Sequence, residues 1–207
     1  MAVVALELIS LRNGIFLWQA YDPAVKADLL STAVATGTGE IILVDPIRLA
    51  KPELNRLHQQ GQITGIVATN VNHHRANAWY SMNFSAPVFG HHVSFANKQI
   101  ASARFVADGD TIGGELEVTE LEGAAPGEIA LYHPANGGTF IIGDALINFP
   151  PHGFTFLPRK YCTNETQLRD SLQKLLSYPA ERILFAHGTP ILSAATARLR
   201  RLLSVDL

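Results

Sequence analysis

Cysteine is almost missing from this chain. The single thiol of its 207 residues, Cys162, excludes a disulfide framework within the chain and a cysteine-built zinc cluster. Charge is also sparse, with Asp, Glu, Lys and Arg at 16% against 47% apolar residues and a formal net charge of -2. There is no basic tract to suit nucleic acid and no basic amphipathic segment to suit a membrane surface. No uninterrupted apolar stretch approaches the roughly 20 residues needed to cross a bilayer. The apolar start, "MAVVALELISLRNGIFLW", lacks a basic leader and a small-residue cleavage site, so it reads as a first strand rather than a signal peptide. What remains is the expectation of a cytoplasmic globular protein forming one domain over residues 1–207.

What is present is mostly strand. "AVVALELIS", "GIFLWQAY", "LSTAVATGT" and "GEIILVDP" read as four strands, the last two joined by a glycine turn. A helix is expected from Pro52, with Leu54 and Leu57 on its inner face and Gly61 ending it. "ITGIVATN" is a near-continuous apolar run, as for a strand buried on both faces. Further on, "RANAWYSMNF" and "SFANKQIASA" read as helical, "ELEVTELEG" as a half-buried strand, and "EIALYHP" with "TFIIGDAL" as a hairpin. Leu168, Leu172, Leu175 and Leu176 recur at helical spacing, "RILFAH" is a last strand, and "SAATARLRRLLS" a last helix. A hairpin-rich first quarter followed by interleaved helices and strands fits packed sheets with helices outside.

Polar residues follow the apolar runs at "TNVNHHR", "GDALIN" and "HGTP". Strand ends are where a scaffold gathers ligands from distant parts of a chain, and Asp144 and His187 each follow four apolar residues next to a glycine. The order "VDPI", "TNVNHHR", "EGAAPGEIALY", "IIGDAL" and "FAHGTP" resembles the metallo-β-lactamase superfamily over nearly the whole chain. That resemblance implies an α+β fold, a four-layer αββα sandwich of two mixed β-sheets with outer helices, and a metal-dependent hydrolase ancestry. Aligned with the family's His-x-His-x-Asp-His motif, Asn70 and Asn72 stand at its first two histidines, His74 at its aspartate and Arg75 at its third histidine. Ala124 stands at the loop histidine. Only Asp144 and His187 match the family in residue type.

The resemblance therefore implies a dinuclear centre that is largely dismantled. Amide oxygens are poor zinc ligands and alanine offers none, so the site of Asn70, Asn72 and Ala124 is lost. For the other site two outcomes follow from Arg75. If it turns away, His74, Asp144 and His187 can hold one zinc or iron; if it points inward, its charge pairs with Asp144 and replaces the metal's. The charge argument favours the second outcome, with no cofactor. Asp45 is expected to hydrogen-bond near His73 or Asn70, with His73 moving protons and Asn70, Asn72 and Arg75 facing a small anionic ligand. A non-catalytic module binding an anion or a protein partner is the competing function. A metal-free enzyme using Cys162 ranks below both. The apolar first strand and the last helix suit a homodimer.

Overall fold

The computed structural model describes residues 3–11, 13–96 and 100–204. The alternation along its strands explains the architecture. In Ile15–Asp22, Phe16 and Trp18 join one apolar cluster while Ile15 and Leu17 join another; in Glu40–Val44, Ile41 and Leu43 part from Ile42 and Val44 in the same way. Ile129–His133 and Arg182–Phe185 repeat the pattern, with Ala130, Tyr132, Ile183 and Phe185 on one face and Ile129, Leu131 and Leu184 on the other. Successive side chains of a strand point to opposite faces, so strands apolar on both faces need cover on both.

The cover comes in four layers. One seven-stranded sheet contains, in spatial order, Ile9–Ser10, Ile15–Asp22, Ala27–Ala35, Glu40–Val44, Gln62–Val67, Val88–Gly90 and Ala103–Phe105. It is antiparallel through its first four strands and parallel thereafter. A five-stranded sheet contains Thr111–Ile112, Leu116–Glu120, Ile129–His133, Thr139–Ile142 and Arg182–Phe185, antiparallel except for the last pairing. The cluster of Ile15, Val34, Ile42, Val67, Leu131, Ile141 and Leu184 lies between the two sheets. Helices α1 (Lys51–His58) and α2 (Asn77–Phe84) cover the outer face of the larger sheet through Leu54, Leu57 and Tyr80. Helices α3 (Glu165–Leu172) and α4 (Ala195–Ser204) cover the smaller one through Leu168, Leu172, Ala195 and Leu199. This is the αββα sandwich of two mixed sheets with outer helices. Each buried Leu or Phe in these layers contributes about 1.5–3 kcal/mol by leaving water. Among the described residues, no helix is long and apolar enough to cross a membrane.

Three local expectations change. The first strand breaks into Val4–Ala5 and Ile9–Ser10, because α1 side chains capture the backbone between them. The Leu8 N–H donates to Glu53 at 3.2 Å, and Arg56 donates to the Leu8 carbonyl. The helix expected over Ser94–Ala103 is a 3-10 turn, His92–Phe95, followed by the edge strand from Ala103; residues 97–99 lie outside the described residues. His91 caps that turn through Nδ1, and Ser94 Oγ donates to the Gly127 carbonyl at 3.1 Å, which holds it against the loop after residue 121. Finally, the segment after Asp144 forms a separate hairpin, Leu146–Phe149 with Gly153–Phe156. Asn148 bridges it to Gly188, so the hairpin is tied to the end of the last strand.

Candidate metal centre

Four strands end side by side, and their first residues outside the ladder form one cluster. Glu40–Val44 ends at Asp45, Gln62–Val67 leads into Thr69–Arg75, Thr139–Ile142 ends at Gly143 and Asp144, and Arg182–Phe185 ends at His187. The two sheets meet here, since the Leu30 N–H donates to the Ala186 carbonyl at 2.9 Å. Glycine is required at 143 by close approach: a Cβ there would collide with Thr69 Oγ1 and stand 2.7 Å from Glu128 Oε1.

His73 is the centre of the cluster. Its Nδ1 lies 2.9 Å from Asp45 Oδ2 and 2.8 Å from Thr69 Oγ1, and its Nε2 lies 3.3 Å from Asp144 Oδ1. His187 is arranged in the same way, with Nδ1 3.0 Å from the Asp28 carbonyl and Nε2 3.6 Å from the same Asp144 oxygen. His73, Asp144 and His187 each offer one ligand atom, all within 4.8 Å of one another. Bonds of about 2.0–2.1 Å to a tetrahedral cation set its ligands roughly 3.4 Å apart, close to the spacings of Asp144 from the two rings.

This candidate ligand set differs from the expected one at a single histidine. His74 turns to the opposite side, where Nε2 meets the Ser94 carbonyl at 2.7 Å and its ring packs edge-on against Phe95. The turn over residues 70–76, with Arg75 at φ 35°, presents His73 rather than His74 to Asp144.

Arg75 does not take the favoured course of pairing with Asp144. It lines the cavity, yet its guanidinium donates to the carbonyls of Leu30 (2.6 Å), Asp45 (2.8 Å) and Ala186 (3.2 Å), and it makes no ion pair with Asp144. It is a staple across strand ends of both sheets, and its charged donors add to those that two of the carbonyls already have, Ser31 Oγ at Asp45 (2.8 Å) and the Leu30 N–H at Ala186 (2.9 Å). Arg75→Met should therefore cost roughly 2–4 kcal/mol of unfolding free energy in urea titration, since hydrogen bonds to a charged group contribute about 1.5–3 kcal/mol each. A loss below about 1 kcal/mol would contradict the staple.

The residue that the resemblance aligns with the family's first histidine, Asn70, is engaged in hydrogen bonds. Asn70 is fully buried beneath the cavity, not on its wall; its Nδ2 donates to Glu128 Oε2 at 2.7 Å and to Asp144 Oδ2 at 3.1 Å. One amide thus links two carboxyl groups. Glu128 was missed in the sequence, although a lone acid opening the apolar run "EIALYH" was a signal. Its Oε1 accepts the N–H groups of Asp144 (2.8 Å) and Ala145 (3.1 Å), fixing the loop that carries Asp144. Thr69 was missed as well. Asn72 is exposed on the cavity wall, while Ala124 is packed in the core against the second helix layer.

Burial and charge settle the protonation states. Burial would raise the Asp144 carboxyl, but the adjacent His73 outweighs it and holds Asp144 well below the usual carboxylate range. Asp45 is lowered likewise, His73 and Arg75 overcoming its burial. Burial opposes a charge on His73, yet Asp144 and Asp45 push it up to about 10. His187 is held down to about 4 by burial and by the charge of His73, so its approach to Asp144 is that of a neutral ring and not an ion pair. Burial and the neighbouring Asp144 push Glu128 up to about 8.

These states carry a pH dependence for the metal-free protein. His73 and Glu128 hold protons more tightly folded than unfolded, so the folded form gives up stability as pH rises beyond each unfolded value, until about 8 for Glu128 and about 10 for His73. Urea midpoints in chelator should accordingly fall between about pH 6.5 and about pH 9.5; a rise over that range would contradict the assignment.

The remaining candidates lie elsewhere. Cys162 donates to the Leu157 carbonyl at 3.2 Å, and burial and Glu165 push its thiol up, so it is no activated nucleophile; Arg159 pairs with Glu165 instead. His91 faces Glu120 and His133 faces Glu115, both away from the cluster. His152 lines the same cavity as His73 and His187, a space of about 1240 Å³.

The comparisons agree with this fold. A metallo-β-lactamase from Pontibacter korlensis superposes with a TM-score of 0.73 at 16% identity, covering 97% of this chain and 99% of that one. The metallo-β-lactamase family protein TTHA1429 from Thermus thermophilus gives 0.66 at 20% identity, with 94% and 80% covered. TTHA1623, solved in a di-iron-bound form, gives 0.62 at 24% identity, with 87% and 97% covered. No curated protein matches the chain. The metallo-β-lactamase superfamily model matches residues 9–205, and the chain belongs to that superfamily.

Proposed function

We propose that this protein is a hydrolase working with one metal ion, zinc or iron, held by His73, Asp144 and His187. The observation that carries this reading is the anchoring of both rings. Each histidine commits Nδ1 to an acceptor, Asp45 for His73 and the Asp28 carbonyl for His187, and each aims Nε2 at Asp144. Metal-ligating histidines are held in this way, because the outer acceptor fixes the tautomer and the ring plane. Two imidazoles and one carboxylate with open positions suit zinc or iron. A di-iron form of TTHA1623, a protein of the same fold, supports the choice of metal. A second ion is not proposed here, since the positions that the resemblance gives to its ligands hold Asn70 and Ala124.

A cation so held supplies Lewis acidity to a scissile carbonyl or phosphoryl oxygen and lowers the pKa of water. The chain's own groups do the rest. Asp45 and Thr69 lock His73, Glu128 and Gly143 fix the approach of Asp144, and Arg75 keeps the strand ends together. His73 is thereby a ligand rather than a proton carrier. Asn72, exposed on the wall, offers an amide to orient the substrate. Anion binding without metal is the second reading, favoured by Lys26, Arg48, Lys160 and the amide of Asn72 in the cavity lining.

Chelated protein should hydrolyse activated esters, thioesters and phosphodiesters no faster than buffer, and about one equivalent of zinc or iron(II) should restore turnover of at least one class. No gain with either metal over the whole set would sink the hydrolase reading and leave anion binding.

A further inference from the structure

The cavity over the metal centre is built from two kinds of surface. Its walls are apolar and aromatic, with Leu29, Ile47, Trp79, Phe149 and Leu157 among them. Its charged lining away from the floor is Lys26, Arg48 and Lys160 against one acid, Asp22. Three cations to one anion stand out in a chain whose formal charge is -2. They also come from three separate segments: Lys26 from the turn between Ile15–Asp22 and Ala27–Ala35, Arg48 from the short strand after Asp45, and Lys160 from the 3-10 turn before α3.

None of the three is taken up by an acid of the protein. Arg48 lies over the Trp79 ring at 4.4 Å and Lys160 over the Tyr161 ring at 4.6 Å, and no carboxylate stands within ion-pair distance of any of them among the described residues. Stacking on a ring fixes a cation while leaving its donors open, so Arg48 and Lys160 are set on aromatic walls with donors free to meet a ligand. Lys26 is exposed at its turn, held at φ 56°. At about 1240 Å³ the cavity exceeds what a small ester fills, since drug-sized ligands occupy about 300–1,000 Å³.

We infer that the substrate is an amphipathic anion: a bulky apolar or aromatic body that lies on the Trp79 and Leu29 wall, with a carboxylate, sulfonate or phosphate at Lys26, Arg48 and Lys160. This inference rests on the reading of the cavity as the substrate site and names the class of substrate. The apolar walls supply contact area for the body, and the cations at the mouth attract and orient the charged end.

The test uses two fluorescent probes with one ring system, 8-anilinonaphthalene-1-sulfonate, which is anionic, and N-phenyl-1-naphthylamine, which is neutral. The protein as purified should bind the sulfonate about tenfold more tightly, the sum of three partly exposed charge contacts. The variant K26Q/R48Q/K160Q should lose that preference while binding the neutral probe as before, and Trp79→Ala should weaken both. Arg48→Lys, which keeps the charge, should retain most of the preference. Equal binding of the two probes, binding of neither, or a triple variant that keeps the preference would each overturn the inference. Thermal melts of every variant separate loss of binding from loss of fold. The titrations repeated in chelator should give the same preference, because the cations belong to the chain. Failure of the metal reading would therefore leave the anion preference intact, and failure of the preference would leave metal binding intact.

Discussion

Asp45→Ala is expected to lower the unfolding free energy by roughly 3–5 kcal/mol, the cost of removing one partner from a buried, hydrogen-bonded charge pair. Asp45 is 2% exposed, and its carboxylate accepts the Thr69 N–H at 2.9 Å, the Thr69 hydroxyl at 2.6 Å and His73 Nδ1 at 2.9 Å. Alanine leaves all three donors buried without that acceptor. It also places a methyl-bearing residue without a polar side chain at φ 47°, where Asp is better tolerated than most. Asn at 45 keeps the shape and one acceptor oxygen, so Asp45→Asn should lose about half as much stability, and it should weaken metal binding about 10–100-fold through the loosened His73 ring. Urea denaturation gives the first quantity and metal titration the second. A loss below about 1 kcal/mol for alanine would mean that the contacts are not made in solution.

The second large effect separates two neighbours. His73→Ala removes one of the three proposed ligands and should reduce metal affinity by at least about 1,000-fold, since apparent binding energies at structural zinc sites reach about 10–16 kcal/mol over about four ligands. His74→Ala should leave affinity within about threefold, because His74 is bonded to the Ser94 carbonyl on the far side of the turn. Its cost is local, the loss of that bond and of the packing on Phe95. The reverse result, with His74 needed and His73 dispensable, would restore the ligand set that alignment with the family motif implies.

That pair also marks what sequence could and could not convey. The layers were legible because strands such as "GIFLW" and "IILV" are apolar on both faces, and the strand tips named Asp144 and His187 directly, while Asp45 came only through the resemblance. The choice between His73 and His74 was not legible, because it depends on the path of a turn whose Arg75 adopts φ 35°. Position in a motif predicts a side chain's neighbours only where the backbone of the motif is kept, and a substituted motif is free to change it. Arg75 was misjudged for a related reason. A guanidinium near a carboxylate suggests an ion pair, but three buried carbonyls at converging strand ends compete for the same donors and win by geometry. Glu128 lies 58 residues from Asn70 in the chain, and only the folded sheets bring the two together.

Central to the proposed function is whether His73, Asp144 and His187 bind an ion as a set. Chelator-stripped protein titrated with zinc and with iron(II), with bound metal counted after gel filtration, answers this directly. Saturation is expected at about one equivalent for wild type and for His74→Ala, and less than about 0.1 equivalent for Asp144→Ala and His187→Ala at the same free metal. Wild-type protein retaining less than about 0.1 equivalent of either metal, or the two ligand variants retaining a full equivalent, would contradict it.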